Sequence, residues 1–134
     1  MRKNWVSILL VIFSLLIVIL ADSGNLPRAI KNLYNFPNGD KIGHFLLMGL
    51  LSFVLNWTAL VSSTPAPEAE RSGVDKKPAT VIWAVSLTLS FFVTLEEFSQ
   101  IFFRRRTFSL LDLLFSLAGI VLFAWLASFF HARS

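Results

Sequence analysis

No cysteine occurs among the 134 residues, and only 15% of them are charged. The first absence removes disulfides, thiolate nucleophiles and cysteine-ligated metals, while leaving the redox state of the compartment unread. The second is more telling. With 55% hydrophobic residues and 14 phenylalanines, the chain carries more apolar side chain than a soluble core of this size can bury. The composition is that of an all-α membrane protein. No basic stripe with interleaved aromatics accompanies the formal charge of +4, so nucleic acid is not an expected partner. The positive charge reads as lysine and arginine flanking membrane spans and touching anionic headgroups.

A spanning helix needs about 20 predominantly apolar residues. Four segments meet or nearly meet that length: residues 5–21, 42–61, 81–103 and 110–130. The expected architecture is a single membrane domain, a four-transmembrane-helix bundle. Segment 5–21 has a second reading as a cleaved signal peptide, given Arg2, Lys3 and Ala21, but Ile19 stands where a small residue is wanted. Pro27, Pro37 and Asn38-Gly39 mark the first connector as turn-rich. Within it, Leu26, Ile30, Leu33, Tyr34 and Phe36 can lie along the interface as a short amphipathic piece. Residues 62–79, rich in Ser, Pro, Ala and mixed charge, read as a polar linker. The short connector near 104–109 makes the third and fourth spans a tight antiparallel hairpin.

The third span reaches Phe103 only by including Glu96, Glu97 and Gln100. An ionised side chain at the bilayer centre costs about 2.5–3.5 kcal/mol on insertion scales, so such residues normally face a protein interior or wet cavity and pair there. With four spans, the start of the second, the end of the third and the start of the fourth share one membrane side. Asp40, Lys41, His44, Glu97, Gln100, Arg106 and Asp112 all belong to that level. Glu96 and Glu97 point about 100° apart, so one of them should face the bundle centre. Asp112, Ser116 and Gly119 form a polar-then-small stripe on which another helix can lie closely. Blander readings exist for each piece. Arg104–Arg106 can be an interfacial anchor, His44 a packed histidine, and Asp112 a helix-start residue favoured by the dipole. Two glutamates with a glutamine are harder to dismiss, and they point to a membrane-embedded polar site.

The sequences DKIGHF (Asp40–Phe45) and EFSQIFFRRRTFSLLD (Glu97–Asp112), followed by Gly119, resemble the VanZ-like family. The likeness rests on Asp-Lys-x-x-His-Phe, Glu-x-x-Gln, an Arg six before an Asp, and the later Gly. It departs at Ser99 and Ser116, where the family often has His and Asn, and at Arg104-Arg105, often Pro-Gly. The resemblance implies a small helical bundle in the bacterial cell envelope. The founding member is associated with low-level resistance to the glycopeptide teicoplanin.

Two functions fit the chemistry. In the first, Lys41 and Arg106 pair with Asp40, Glu97 and Asp112, and the site binds an amphiphile such as a lipid-linked cell-wall intermediate or a lipoglycopeptide. Arg106 would take a phosphate or carboxylate through two parallel bonds. In the second, Glu97 and His44 supply acid–base catalysis on a lipid-linked phosphate or acyl group. A metal held by Asp40, His44, Glu97 and Asp112 is disfavoured because Lys41 and Arg106 already supply positive charge, and no cofactor is expected. A passive structural or channel subunit is a third class. Membrane lipids are partners in every case. Orientation is nearly balanced. Arg2, Lys3, Arg71, Lys76, Lys77 and Arg133 fall on one side; Arg28, Lys31, Lys41, Arg104, Arg105 and Arg106 on the other. Setting Lys41 and Arg106 aside as site residues places both termini in the cytoplasm of a bacterial plasma-membrane protein.

Overall fold

A computed structural model describes residues 3–22, 27–33, 35–63, 77–102 and 108–134. Within these the chain is helical: α1 (Lys3–Asp22), α2 (Arg28–Leu33), α3 (Gly39–Ser63), α4 (Pro78–Ser99) and α5 (Leu110–Arg133). A 3-10 turn, Gln100–Phe102, prolongs α4. Gly39–Ser63, Pro78–Phe102 and Leu110–Arg133 are each long and apolar enough to cross a membrane. At 1.5 Å per residue, 25 residues reach about 37 Å, more than the ~30 Å hydrocarbon layer. The protein is a multi-pass membrane protein. The linker expected at 62–79 is helical at both ends, and residues 64–76 lie outside the described residues.

The helix boundaries follow local chemistry. Gly39 N donates to Phe36 O at 2.9 Å, closing a turn with Pro37 and Asn38 at its centre. Asn38 takes a φ of 64°, a left-handed conformation that asparagine tolerates better than most residues. This turn starts α3 earlier than the hydrophobic run alone implies, so Asp40, Lys41 and His44 are helical. Pro78 opens α4, where its missing N–H is not needed. Ser109 caps α5 by accepting a hydrogen bond from Asp112 N at 3.3 Å.

Small and polar residues are buried between α3 and α5 beside an apolar core, and many of the bulkiest side chains face outward. Gly49, Ser52, Asn56, Ser116, Gly119, Ala124 and Ala127 are buried on α3 and α5. Trp83, Leu87, Phe91, Val121 and Trp125 are exposed. In lipid this is the stable arrangement, because tails solvate large apolar side chains while small residues let backbones approach. The α3–α5 pair has the most extensive contact, so α5 has a larger partner than the hairpin neighbour α4. These two helices run parallel: Lys41 meets Asp112, Ser52 meets Ile120 and Trp57 meets His131 as both chains advance. Their closest approach is at two glycines. A Cβ on Gly119 would overlap the Phe45 carbonyl oxygen, and one on Gly49 would lie 2.5 Å from Phe123 Cδ2. Helix α4 packs antiparallel on both, and α1 packs on α3, with Val11 against the core of Met48, Leu51, Leu89, Val93, Leu113 and Ile120.

Candidate functional site

Because α3 and α5 are parallel and α4 antiparallel, the first turns of α3 and α5 and the last turn of α4 share one end. Asp40 and Asp112 sit in the first turns of their helices, where the dipoles favour carboxylates. Lys41 lies between them, with Nζ 3.4 Å from Asp40 Oδ2 and 3.8 Å from Asp112 Oδ1. The two carboxylates differ in setting. The Asp40 side chain is 60% exposed, against 16% for Asp112. Asp112 Oδ1 is buried and has no hydrogen-bond partner among the described residues, so Lys41 balances its charge through space. One turn deeper, His44 Nδ1 lies 3.4 Å from Ser116 Oγ, and Ser116 is buried.

Glu97 is the buried member of the glutamate pair, 2% exposed, and Glu96 is half-buried. Glu97 Oε1 accepts a hydrogen bond from Ser109 N at 3.0 Å. Ser109 thus ties the Glu97 carboxylate to the turn that carries Asp112. Phe98 and Phe108 stack beside it with centroids 5.2 Å apart. Gln100, also buried, donates from Nε2 to Glu96 Oε1 at 2.8 Å. Arg106 lies outside the described residues, as do Arg104 and Arg105.

The structure therefore makes two neighbouring groups of the residues singled out in sequence. Asp40, Lys41, His44 and Asp112 gather at the α3–α5 seam, while Glu97 and Gln100 occupy the α4 end. Ser109 bridges the groups, and no hydrogen bond or ion pair joins their side chains directly among the described residues. No group of three or more metal-ligating side chains occurs among the described residues either. Within the seam the charge partner of both carboxylates is Lys41. The chain matches the VanZ/LLP1 family profile over residues 2–131. It belongs to the VanZ/LLP1 family. Comparison with curated proteins and with solved structures gives no significant match.

Sequence reasoning about this VanZ/LLP1 chain missed Ser109, although a serine three before an acidic residue is a helix-start signature. It also missed a deeper polar tie. Ser52 Oγ donates to Ile120 O at 2.8 Å. Asn56 Nδ2 donates to Ser52 O at 2.9 Å and lies 3.4 Å from Ser86 Oγ on α4. The signal was present as Gly49, Ser52 and Asn56, spaced three and four apart on one face of α3.

Proposed function

We propose that this VanZ/LLP1 protein binds an amphiphilic, lipid-linked ligand at headgroup depth in the bacterial plasma membrane, in a role tied to teicoplanin-type glycopeptide resistance. The burial of Glu97 carries this reading. A carboxylate so enclosed in an apolar helix is costly unless it is used, and among the described residues the donor that reaches it is the backbone N–H of Ser109. The parallel first turns of α3 and α5 add fixed positive ends beside it. In this reading α1 is the first of four crossings, both termini are cytoplasmic, and the polar end faces outward. Arg106 takes the ligand's phosphate or carboxylate. The test compares lipids and glycopeptides copurifying with the intact protein and with Glu97→Gln, identified by mass spectrometry, alongside teicoplanin susceptibility of cells. The side-chain amide introduced by Glu97→Gln can still accept from Ser109 N, so the variant is expected to accumulate, lose the copurifying species and lose protection. Unchanged species and unchanged susceptibility would refute the reading.

A second reading, a membrane enzyme, draws on His44. The Ser116 hydroxyl, 3.4 Å from Nδ1, can orient the ring, and an imidazole so held can serve as a general acid or base. Release of phosphate or an acyl group from a purified lipid-linked substrate, lost in His44→Gln, would decide for it. Binding without turnover decides against it.

A further inference from the structure

Charge on α3, α4 and α5 is sorted by end. Their described carboxylates, Asp40, Glu96, Glu97 and Asp112, all lie at the polar end. At the opposite end the described charged and titratable side chains are Lys77, at the N-cap of α4, and His131 and Arg133 in the last turn of α5. No ion pair joins Lys77 or Arg133 to a carboxylate among the described residues. Arg133 is exposed, and its guanidinium lies over the Phe129 ring, 4.0 Å from the centroid. Rings continue from there across the seam. Phe129 meets Phe130 at 5.7 Å between centroids, Phe130 meets Phe53 of α3 at 6.4 Å, and Phe53 stacks on Trp57 at 6.1 Å. Trp57 in turn meets His131 at 6.0 Å, nearly perpendicular. At 1.5 Å per residue, Phe129 lies about 6 Å short of Arg133, and Trp57 about 9 Å short of Ser63, where α3 ends. Near this depth headgroups give way to chains, and aromatic side chains collect there.

A guanidinium held on a ring, with no carboxylate beside it, keeps its charge for an outside anion, and a phosphate fits its fork with two parallel bonds. We infer that this end of the bundle seats an anionic phospholipid. Arg133 takes the phosphate, Lys77 adds attraction at the same end, and the chains lie against the exposed Phe130 ring. A bond from His131 to the same headgroup is made by Nε2, because Nδ1 is buried without a hydrogen-bond partner. An acidic protein segment is a poorer occupant, since the exposed apolar ring below Arg133 is better covered by hydrocarbon than left to water. The seat lies at the far end from the ligand site proposed above and does not depend on it.

The experiment uses the full chain in phosphatidylcholine vesicles with Trp57 as the sole tryptophan, the exposed Trp5, Trp83 and Trp125 being changed to Phe. Quenching of Trp57 by chain-brominated phosphatidylglycerol is compared with quenching by chain-brominated phosphatidylcholine. Phosphatidylglycerol is expected to be preferred, and Arg133→Gln to lower that preference about fivefold, the effect of one basic residue at an anionic surface. Arg133→Lys, which keeps the charge, should keep most of the preference. A Val121→Trp reporter combined with Trp57→Phe, at an exposed position near the middle of α5, should show none. Equal quenching of Trp57 by the two lipids would overturn the seat, and so would a preference that survives Arg133→Gln combined with Lys77→Gln. An equal preference at the Val121 reporter would also overturn it, because it would mark attraction to the protein at large.

Discussion

Gly119 and Gly49 show how one atom sets the α3–α5 distance. A methyl group at Gly119 meets backbone, the Phe45 carbonyl, which moves only if the helix moves. At Gly49 it meets the Phe123 ring, which can turn. Overpacking of this kind costs about 1–3 kcal/mol. Gly119→Ala should therefore destabilise the protein more than Gly49→Ala, measured by reversible unfolding in mixed micelles; the opposite order would mean the helices are held apart by something else. Lys41 carries a second consequence. Removing it leaves the buried Asp112 oxygen uncompensated, whereas the exposed Asp40 loses little. Lys41→Met is expected to lower accumulation in the membrane several-fold, by about 1–3 kcal/mol of lost compensation, and Asp112→Asn in the same chain should restore much of it. No restoration would show that Lys41 acts elsewhere.

Between helices, the adhesive is polar. Ser52 bonds the α5 backbone, and Asn56 reaches Ser52 and Ser86, so three helices meet at one tie. Interhelical hydrogen bonds in membranes average about 0.6 kcal/mol and reach about 1.7. A double-mutant cycle on Asn56→Leu and Ser86→Ala, which face each other between α3 and α4, should give a coupling in that range; zero coupling would reduce the contact to coincident burial. The elements themselves were legible in sequence because long apolar runs and turn residues are local signals. Asn38-Gly39 marked the turn that precedes the second span, and the adjacent glutamates separated as helical phase requires, Glu97 inward and Glu96 partly out. What a single sequence could not give was partner choice. Span order predicts the α4–α5 hairpin, but only packing at Gly49 and Gly119 makes α3 the larger partner of α5. The contact between His44 and Ser116 was hidden for the same reason, since residues 72 apart meet only when that seam forms.

The orientation of the entire bundle determines which solution the polar end meets. Parallel α3 and α5 with antiparallel α4 place Asp40, Glu97 and Asp112 at one face, and the end of α3, the start of α4 and the C-terminal end of α5 belong to the other. That parity does not depend on α1. With α1 counted as a further crossing, six basic residues would fall on each side, and the ones that the site does not occupy would decide the topology. If Lys41 is neutralised by Asp40 and Asp112, as its distances indicate, it no longer counts toward retention in the cytoplasm. The excess then lies with Arg2, Lys3, Arg71, Lys76, Lys77 and Arg133. Reporter fusions after Ser72 and Ser134 should both be cytoplasmic, and a fusion after Gly39 external. External reporters at Ser72 and Ser134 would turn the polar end inward and remove an extracellular glycopeptide as its ligand. The helix packing would be unaffected, because every contact that builds the site is made within the bundle.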